Sequence, residues 1–280
     1  CVDLDKVFDT MVSANHVGVL NFSETTLYRA QKALIAAKFN GLVADTKIFD
    51  PARDGQTPDF ALKNPMGKVP FLETEGGCIS SSNAIAKYVA RIRGDNSLYG
   101  KNFDDECQVD SLLEFSLHEL EVPLMHWIYP VLGLMDEPPA ASKTQAQIDV
   151  KSALQFLEGR LASSEFLLGN FVSLADIVLV CALREGFERV FDPSFRKPYP
   201  KVCTWFERCC VLEKFKAVLG EVKLCTEAQV AKPAQVATGK KEEKGGGKKS
   251  EKTDKKIAPA PASGRGDVDE AVIKAVGDEL

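Results

Sequence analysis

The chain reads as an α/β domain followed by an all-α bundle and a low-complexity tail, and three observations carry that reading. Strand-like and helix-like runs alternate up to residue 95. Nearly every apolar periodicity from Asp104 to Cys225 is helical, and from Thr226 the pattern collapses into Ala, Pro, Gly and Lys. In order, Gly18–Phe22 reads as a short strand, and 26–39 as a helix with Leu27, Ala30, Leu34 and Ala37 at three-to-four spacing. Asn40-Gly41 stops that helix. Leu42–Ala44 and Val69–Glu73 read as further strands, and Cys78-Ile79 returns across the Glu75-Gly76-Gly77 turn. After Ser82, the residues Ala84, Ile85, Tyr88, Val89 and Ile92 trace one helix face. Strand, helix, strand, strand, strand, helix is a thioredoxin-like order.

In the second half, Val109, Leu112, Leu113, Leu117 and Leu120, then Val150, Ala153, Leu154, Leu157 and Leu161, recur at helical spacing. Leu174–Leu183 is apolar almost all round, which predicts a central, fully buried helix. Ser173 and Asp176 stand where a capping box needs them: the serine can cap the Asp176 N–H and the carboxylate can reach back to the Ser173 N–H. This box is structural, and its loss in Asp176→Ala should cost about 1 kcal/mol or more.

These patterns divide the chain into an N-terminal extension (1–16), the thioredoxin-like domain (17–95), the helical domain (104–225), a disordered Lys/Ala/Pro-rich linker (226–266) and the start of a truncated helical segment (267–280). The linker cannot bury enough apolar surface to order itself. Val268, Ala271, Val272, Ala275 and Val276 then restore a helical stripe, from which a further domain beyond Leu280 is expected; a first residue Cys1 suggests a fragment or a processed chain. Arg265-Gly266-Asp267 and the terminal Gly277-Asp278-Glu279-Leu280 are read as chance matches to an integrin tripeptide and a retention signal.

With 45% hydrophobic and 27% charged residues the chain can bury a full core. No run approaches the roughly 18 apolar residues of a membrane span and no signal-peptide pattern opens the sequence, so a cytoplasmic location is expected. Residues 1–225 carry 24 Lys+Arg against 30 Asp+Glu and residues 226–280 carry 11 against 10, so the folded part is acidic and a specific nucleic-acid partner is not expected. Of the eight cysteines Cys78, Cys107, Cys181 and Cys225 are scattered and read as free thiols, while Cys203, Cys209 and Cys210 cluster, with core packing expected for Cys209 and Cys210 and a redox role as the alternative. Cys203, Cys209 and Cys210 with His16, His118 and His126 make no zinc spacing, and no metal is expected.

Asn64-Pro65-Met66-Gly67-Lys68-Val69-Pro70-Phe71-Leu72, with Ser81 and Ser82 after it, is the candidate ligand site. Proline lacks an N–H and fixes φ, so inside a strand-like run it marks an edge, a strand start or a cis peptide. A cis Val69-Pro70 bond would turn the Val69 N–H and C=O outward to pair with an extended peptide. Ser82 would offer its hydroxyl and the free N–H groups of the next helix to a carboxylate. The plain alternative is a turn before an ordinary strand.

A proline-fixed backbone beside a helix N-terminus resembles the glutathione site of the glutathione transferase fold. A more specific resemblance lies in Arg29–Ala37, Thr57–Phe60, Asn64–Pro70, Ser82–Ile85, Leu168-Gly169 with Ser173–Asp176, Phe191–Arg196 and above all Phe215–Cys225 followed by a Lys-rich stretch. Over residues 17–225 these are similar to the N-terminal region of the gamma subunits of translation elongation factor 1. That resemblance implies a scaffold role: binding the beta-type nucleotide-exchange subunit, with pairing as a homodimer or heterodimer. No Gly-x-x-x-x-Gly-Lys-Ser/Thr phosphate loop is present, in keeping with a chain that does not itself exchange nucleotide. Residues 267–280 are faintly similar to the opening helix of appendices on some aminoacyl-tRNA synthetases, which gives a third reading as an assembly domain of such an enzyme.

The transferase resemblance also implies site residues. Lys68, Val69, Pro70, Ser81 and Ser82 would hold glutathione as ligand or substrate, no other cofactor being required, and Ser23 would be the thiol-activating hydroxyl, with Thr25 and Thr26 as alternatives. Most family members place an acid before Ser82 to meet the substrate's ammonium; this chain has Ser81.

Overall fold

The computed structural model describes residues 15–50, 53–55, 57–94 and 97–233. These belong to the first of two units, Cys1–Val236; the second, Ala237–Leu280, lies outside the described residues together with most of the expected linker and the whole of the expected helix start.

The first half is built from β1 (His16–Phe22), a 3₁₀ turn (Glu24–Thr26), α1 (Leu27–Phe39), β2 (Val43–Ile48), α2 (Pro58–Lys63), β3 (Phe71–Thr74), β4 (Gly77–Ser80) and α3 (Ser82–Arg91). The four strands form one sheet in the order β2-β1-β3-β4, with β1 parallel to β2 and antiparallel to β3, and β3 antiparallel to β4. This is the thioredoxin-like arrangement. α1 and α3 pack together on one face, where Leu20, Ile35, Leu72 and Ile85 lose essentially all contact with solvent. On the other face Phe49, Phe60 and Phe71 form a separate aromatic cluster with ring centroids 4.7–5.5 Å apart.

Several elements differ from the sequence reading: β2 runs to Ile48, past the expected Leu42–Ala44, because its pairing with β1 continues to Phe22 and Ile48. β1 opens at His16, inside the stretch expected to precede the domain, because the His16 position already pairs with Val43. β3 begins at Phe71 rather than Val69, since Pro70 has no N–H to give a ladder. The short α2 is six residues long, too brief to show a helical period, and is started by local chemistry: Thr57 accepts the Phe60 N–H at 3.3 Å and Pro58 sits in the first turn.

Gly18 lies at a register shift of β1 with φ +129°, and a Cβ there would stand 2.0 Å from the Glu73 carbonyl oxygen. Gly18→Ala therefore combines backbone strain with a collision across the central strand pair. A loss of about 2–4 kcal/mol is expected in urea unfolding; an unchanged midpoint would contradict this close approach.

The second half runs α4 (Phe103–Phe115), a π-helical stretch (Ser116–Glu121), α5 (Val122–Leu132), α6 (Ala140–Arg160), α7 (Leu174–Arg189), α8 (Pro193–Arg196), α9 (Pro200–Val211) and α10 (Glu213–Leu219). Every residue from Leu174 to Leu183 is 0% exposed, so α7 is the central helix that its all-round apolarity predicts. Past α10 the chain turns back as an extended strap. The Cys225 and Gln229 N–H groups donate to the Phe187 and Arg189 carbonyls at 2.8 Å, and the Lys232 N–H donates to the Pro130 carbonyl at 2.9 Å. The last turn of α7 thereby finds donors for carbonyls that have no partner within the helix. Arg196 Nη1 binds the Phe191 and Cys225 carbonyls at 3.0 and 3.1 Å. The hydrogen-bonded path thus continues to Lys232, beyond the boundary expected at 225.

Candidate functional site

The register of the sheet assembles the expected site at one end. Asn21 of β1 pairs with Phe71, and Phe71 pairs with Ser80 of β4. The ladder stops at these pairs, so the residues that follow β1 and β4 and precede β3 leave the sheet at the same end.

At that end the Val69-Pro70 peptide is cis, with Val69 half-buried and Pro70 buried. Lys68 is exposed, and its carbonyl accepts a 2.6 Å hydrogen bond from Asn64 Nδ2. Asn64, 1% exposed, also accepts from Ser80 Oγ at 3.3 Å, so one amide ties the loop before Val69 to the end of β4. Asn64 opens the stretch expected to form the site, but its bracing role was not expected; the turn-favouring Asn-Pro pair at 64–65 is the signal that could have pointed to it. Ser81 has φ 76°, in the left-handed region that side-chain-bearing residues seldom adopt, and is exposed; Ser82 opens α3 and is 9% exposed. No acidic side chain occupies the first turn of α3.

Ser23 is held by its own turn. Its N–H donates to Thr26 Oγ1 at 3.2 Å, and its hydroxyl lies 3.0 Å from Thr25 Oγ1 and 3.1 Å from Thr26 Oγ1. The Ser23 hydroxyl thus links the other two candidate hydroxyls just past the end of β1.

Next to that cluster a cleft of ≈ 360 Å³ opens between the two halves. It is lined by Glu24 and Thr25, by Tyr28 and Gln31 of α1, and by Met125, Tyr129 and Leu132 of α5. Along α7, Arg184 pairs with Glu188 at 3.1 Å and Arg189 pairs with Glu185, and Arg184 Nη1 reaches Gln31 Oε1 at 3.3 Å. Burial, with the Glu121 charge adding to it, pushes the Tyr28 phenol well above its ordinary pKa, although Arg29 Nε donates to it at 2.8 Å. Tyr28 therefore acts as a neutral hydrogen-bonding group.

The capping-box pair lies away from this site. The Ser173 N–H and hydroxyl both donate to Asp176 Oδ2 at 2.8 Å, while the Leu167 N–H and Trp205 Nε1 donate to Oδ1 at 2.9 and 2.8 Å. Burial raises the Asp176 pKa, and the four donors pull against it. Among the described residues the cysteines are free thiols. Burial pushes Cys181 and Cys210 up to about 12, which leaves little thiolate for redox chemistry at neutral pH. The described residues contain no group of three His, Cys, Asp or Glu side chains arranged for a metal ion, and no helix among them is long and apolar enough to cross a membrane.

Comparison with known proteins places this geometry in a family. The glutathione S-transferase N-terminal domain matches residues 20–91 and the C-terminal domain matches residues 120–213. Elongation factor 1-gamma 2 of Oryza sativa subsp. japonica is 39% identical over 207 residues, which are 74% of this chain and 49% of that protein. The chain spans about half the length of the curated relatives it matches. The GST-like domain of elongation factor 1-gamma from Saccharomyces cerevisiae superposes with a TM-score of 0.64 at 21% identity, covering 77% of this chain and 99% of that one, a likeness of fold. A delta-class glutathione transferase of Nilaparvata lugens gives 0.62 at 27% identity, covering 71% and 92%. By both of its domains the chain belongs to the glutathione S-transferase family, and elongation factor 1-gamma proteins are among its most similar relatives.

Proposed function

We propose that this chain is a cytoplasmic scaffold subunit of the translation elongation factor 1 nucleotide-exchange complex, binding the beta-type exchange subunit through its transferase-like domains. The observation that carries this reading is 39% identity to an elongation factor 1-gamma of Oryza sativa over 207 residues, which span both domains. The site points the same way. Ser81 stands where a transferase would place an acid for the substrate's ammonium, so a charge-assisted hydrogen bond of about 1.5–3 kcal/mol is missing. Glutathione affinity should fall by about tenfold or more on that account. Such a domain presents surface for assembly, as a homodimer or in a heterodimer with a related domain, and aminoacyl-tRNA synthetases are further candidate partners.

Co-expression with the beta-type subunit tests the proposal. The two chains are expected to elute together from size exclusion in high salt. Separate elution of two folded proteins would overturn the scaffold role.

A second reading, loose binding of glutathione, is favoured by the sheet end itself. The cis Val69-Pro70 peptide, the opening turn of α3 and the adjoining cleft together form a place for an extended thiol peptide and for a second molecule. Glutathione titration with Ser82→Ala as control tests that reading.

A further inference from the structure

Lys32 is the most deeply buried charge in the described part of the thioredoxin-like half. It lies on α1 with 0% of its side chain exposed, and its Nζ stands 2.5 Å from Glu121 Oε1 and 3.0 Å from Asn83 Oδ1. Glu121, 1% exposed, belongs to the other half, in the π-helical stretch between α4 and α5. The irregular helix explains its aim. Residues five apart on an α-helix point about 140° apart around the axis, whereas the wider π turn brings them onto one side. Ser116 and Glu121 are five apart, and Ser116 Oγ donates to Glu121 Oε1 at 3.2 Å. The carboxylate is therefore turned inward and braced where it meets Lys32. Arg29 Nε lies 3.8 Å from its second oxygen.

The third partner connects this node to the ligand end of the sheet. Asn83 follows Ser82 in the first turn of α3, and its side chain is fixed at both ends: Oδ1 accepts from Lys32, and Nδ2 donates to the Leu113 carbonyl of α4 at 3.1 Å. A buried carboxamide held by two fixed partners sets the rotation and height of the helix that bears it, because any shift of α3 would leave a polar group unpaired away from water. We propose that Lys32, oriented by Glu121, is a positioning residue for the sheet-end site: through Asn83 it fixes the opening turn of α3, and so makes binding of a thiol peptide there depend on docking of the helical half. This rests on the reading that the sheet end takes glutathione.

The test uses the full chain and two readouts. Reduced glutathione is titrated calorimetrically into the wild type, Ser82→Ala, Glu121→Gln and the double variant Lys32→Met/Glu121→Leu, and hydrogen exchange is followed at Ala84–Ala86 with α9 as the reference. Glu121→Gln keeps an oxygen acceptor for Lys32; its folded form is expected to bind within about twofold of wild type, although losing the buried counterion lowers its stability. The double variant removes both charges; it is expected to bind about tenfold more weakly and to exchange faster at Ala84–Ala86, with α9 unchanged. If the wild type binds, Ser82→Ala weakens binding and the double variant does not, the positioning role is overturned while the sheet-end site stands. If the wild type does not bind glutathione, the site reading fails, and exchange decides the role of Lys32: faster exchange confined to α3 upholds it, and unchanged exchange overturns it. Should the double variant fail to fold, Lys32→Met/Glu121→Gln, which likewise leaves no buried charge, is judged by the same exchange measurement.

Discussion

Asp176→Ala is expected to destabilise the protein by about 3–6 kcal/mol, several times the cost of losing an ordinary helix cap. The difference comes from the number of donors that converge on one buried carboxylate. The Ser173 hydroxyl can rotate toward another acceptor, but the N–H groups of Leu167, Ser173 and Trp205 are fixed by the backbone or the ring, and each would remain unpaired in the core. A buried donor without a partner costs about 1–3 kcal/mol, and three of them are a large fraction of a typical total stability of about 5–15 kcal/mol. Asp176→Asn should cost less, since its amide oxygen can serve Leu167 and Trp205 while only the Ser173 N–H faces another donor. Urea unfolding followed by tryptophan fluorescence distinguishes the cases. A loss near 1 kcal/mol for the alanine variant would mean that the box acts as a local cap alone.

Lys32→Met is expected to cost about 3–5 kcal/mol, because it leaves the Glu121 carboxylate buried without its cation. Arg29, at 3.8 Å from the second oxygen and partly exposed, compensates only weakly. Adding Glu121→Leu should recover most of the loss. The gain of the pair in place is offset by the desolvation of both ions, so two apolar side chains come close to it in stability. A double-mutant cycle should thus show coupling of at least about 2 kcal/mol. Strictly additive effects would show that the two side chains do not depend on each other. The same pair joins α1 to the π-helical stretch, so the single variant should also lower unfolding cooperativity between the two halves. Unfolding curves by circular dichroism and fluorescence would then separate.

Much of the fold was legible because its periods were long and unmixed. Three-to-four spacing over 26–39 and after Ser82, and all-round apolarity through Leu174–Leu183, predict α1, α3 and the central α7, and the structure contains all three. The Lys68–Pro70 and Ser81-Ser82 segments were likewise readable as breaks in the strand pattern, and the structure has a cis Val69-Pro70 bond ahead of β3 and the start of α3 at Ser82. Short or irregular elements escaped. The α2 helix spans less than two turns, and the π-helical stretch has no sequence signature that distinguishes it from the helix on either side.

The sequence by itself determined the two-part architecture and the family, because local periodicity, turn residues and capping chemistry act over a few positions and leave a readable pattern. Only the tertiary structure decided which polar residues matter most. Asp176 looks like a cap until Leu167 and Trp205 are brought to its other oxygen. Lys32 looks like one of many helix lysines until the packing of two domains removes it from water and sets Glu121 and Asn83 against it. Burial depends on contacts between residues 50 to 90 positions apart, and the desolvation that gives those contacts their weight has no counterpart in the local sequence.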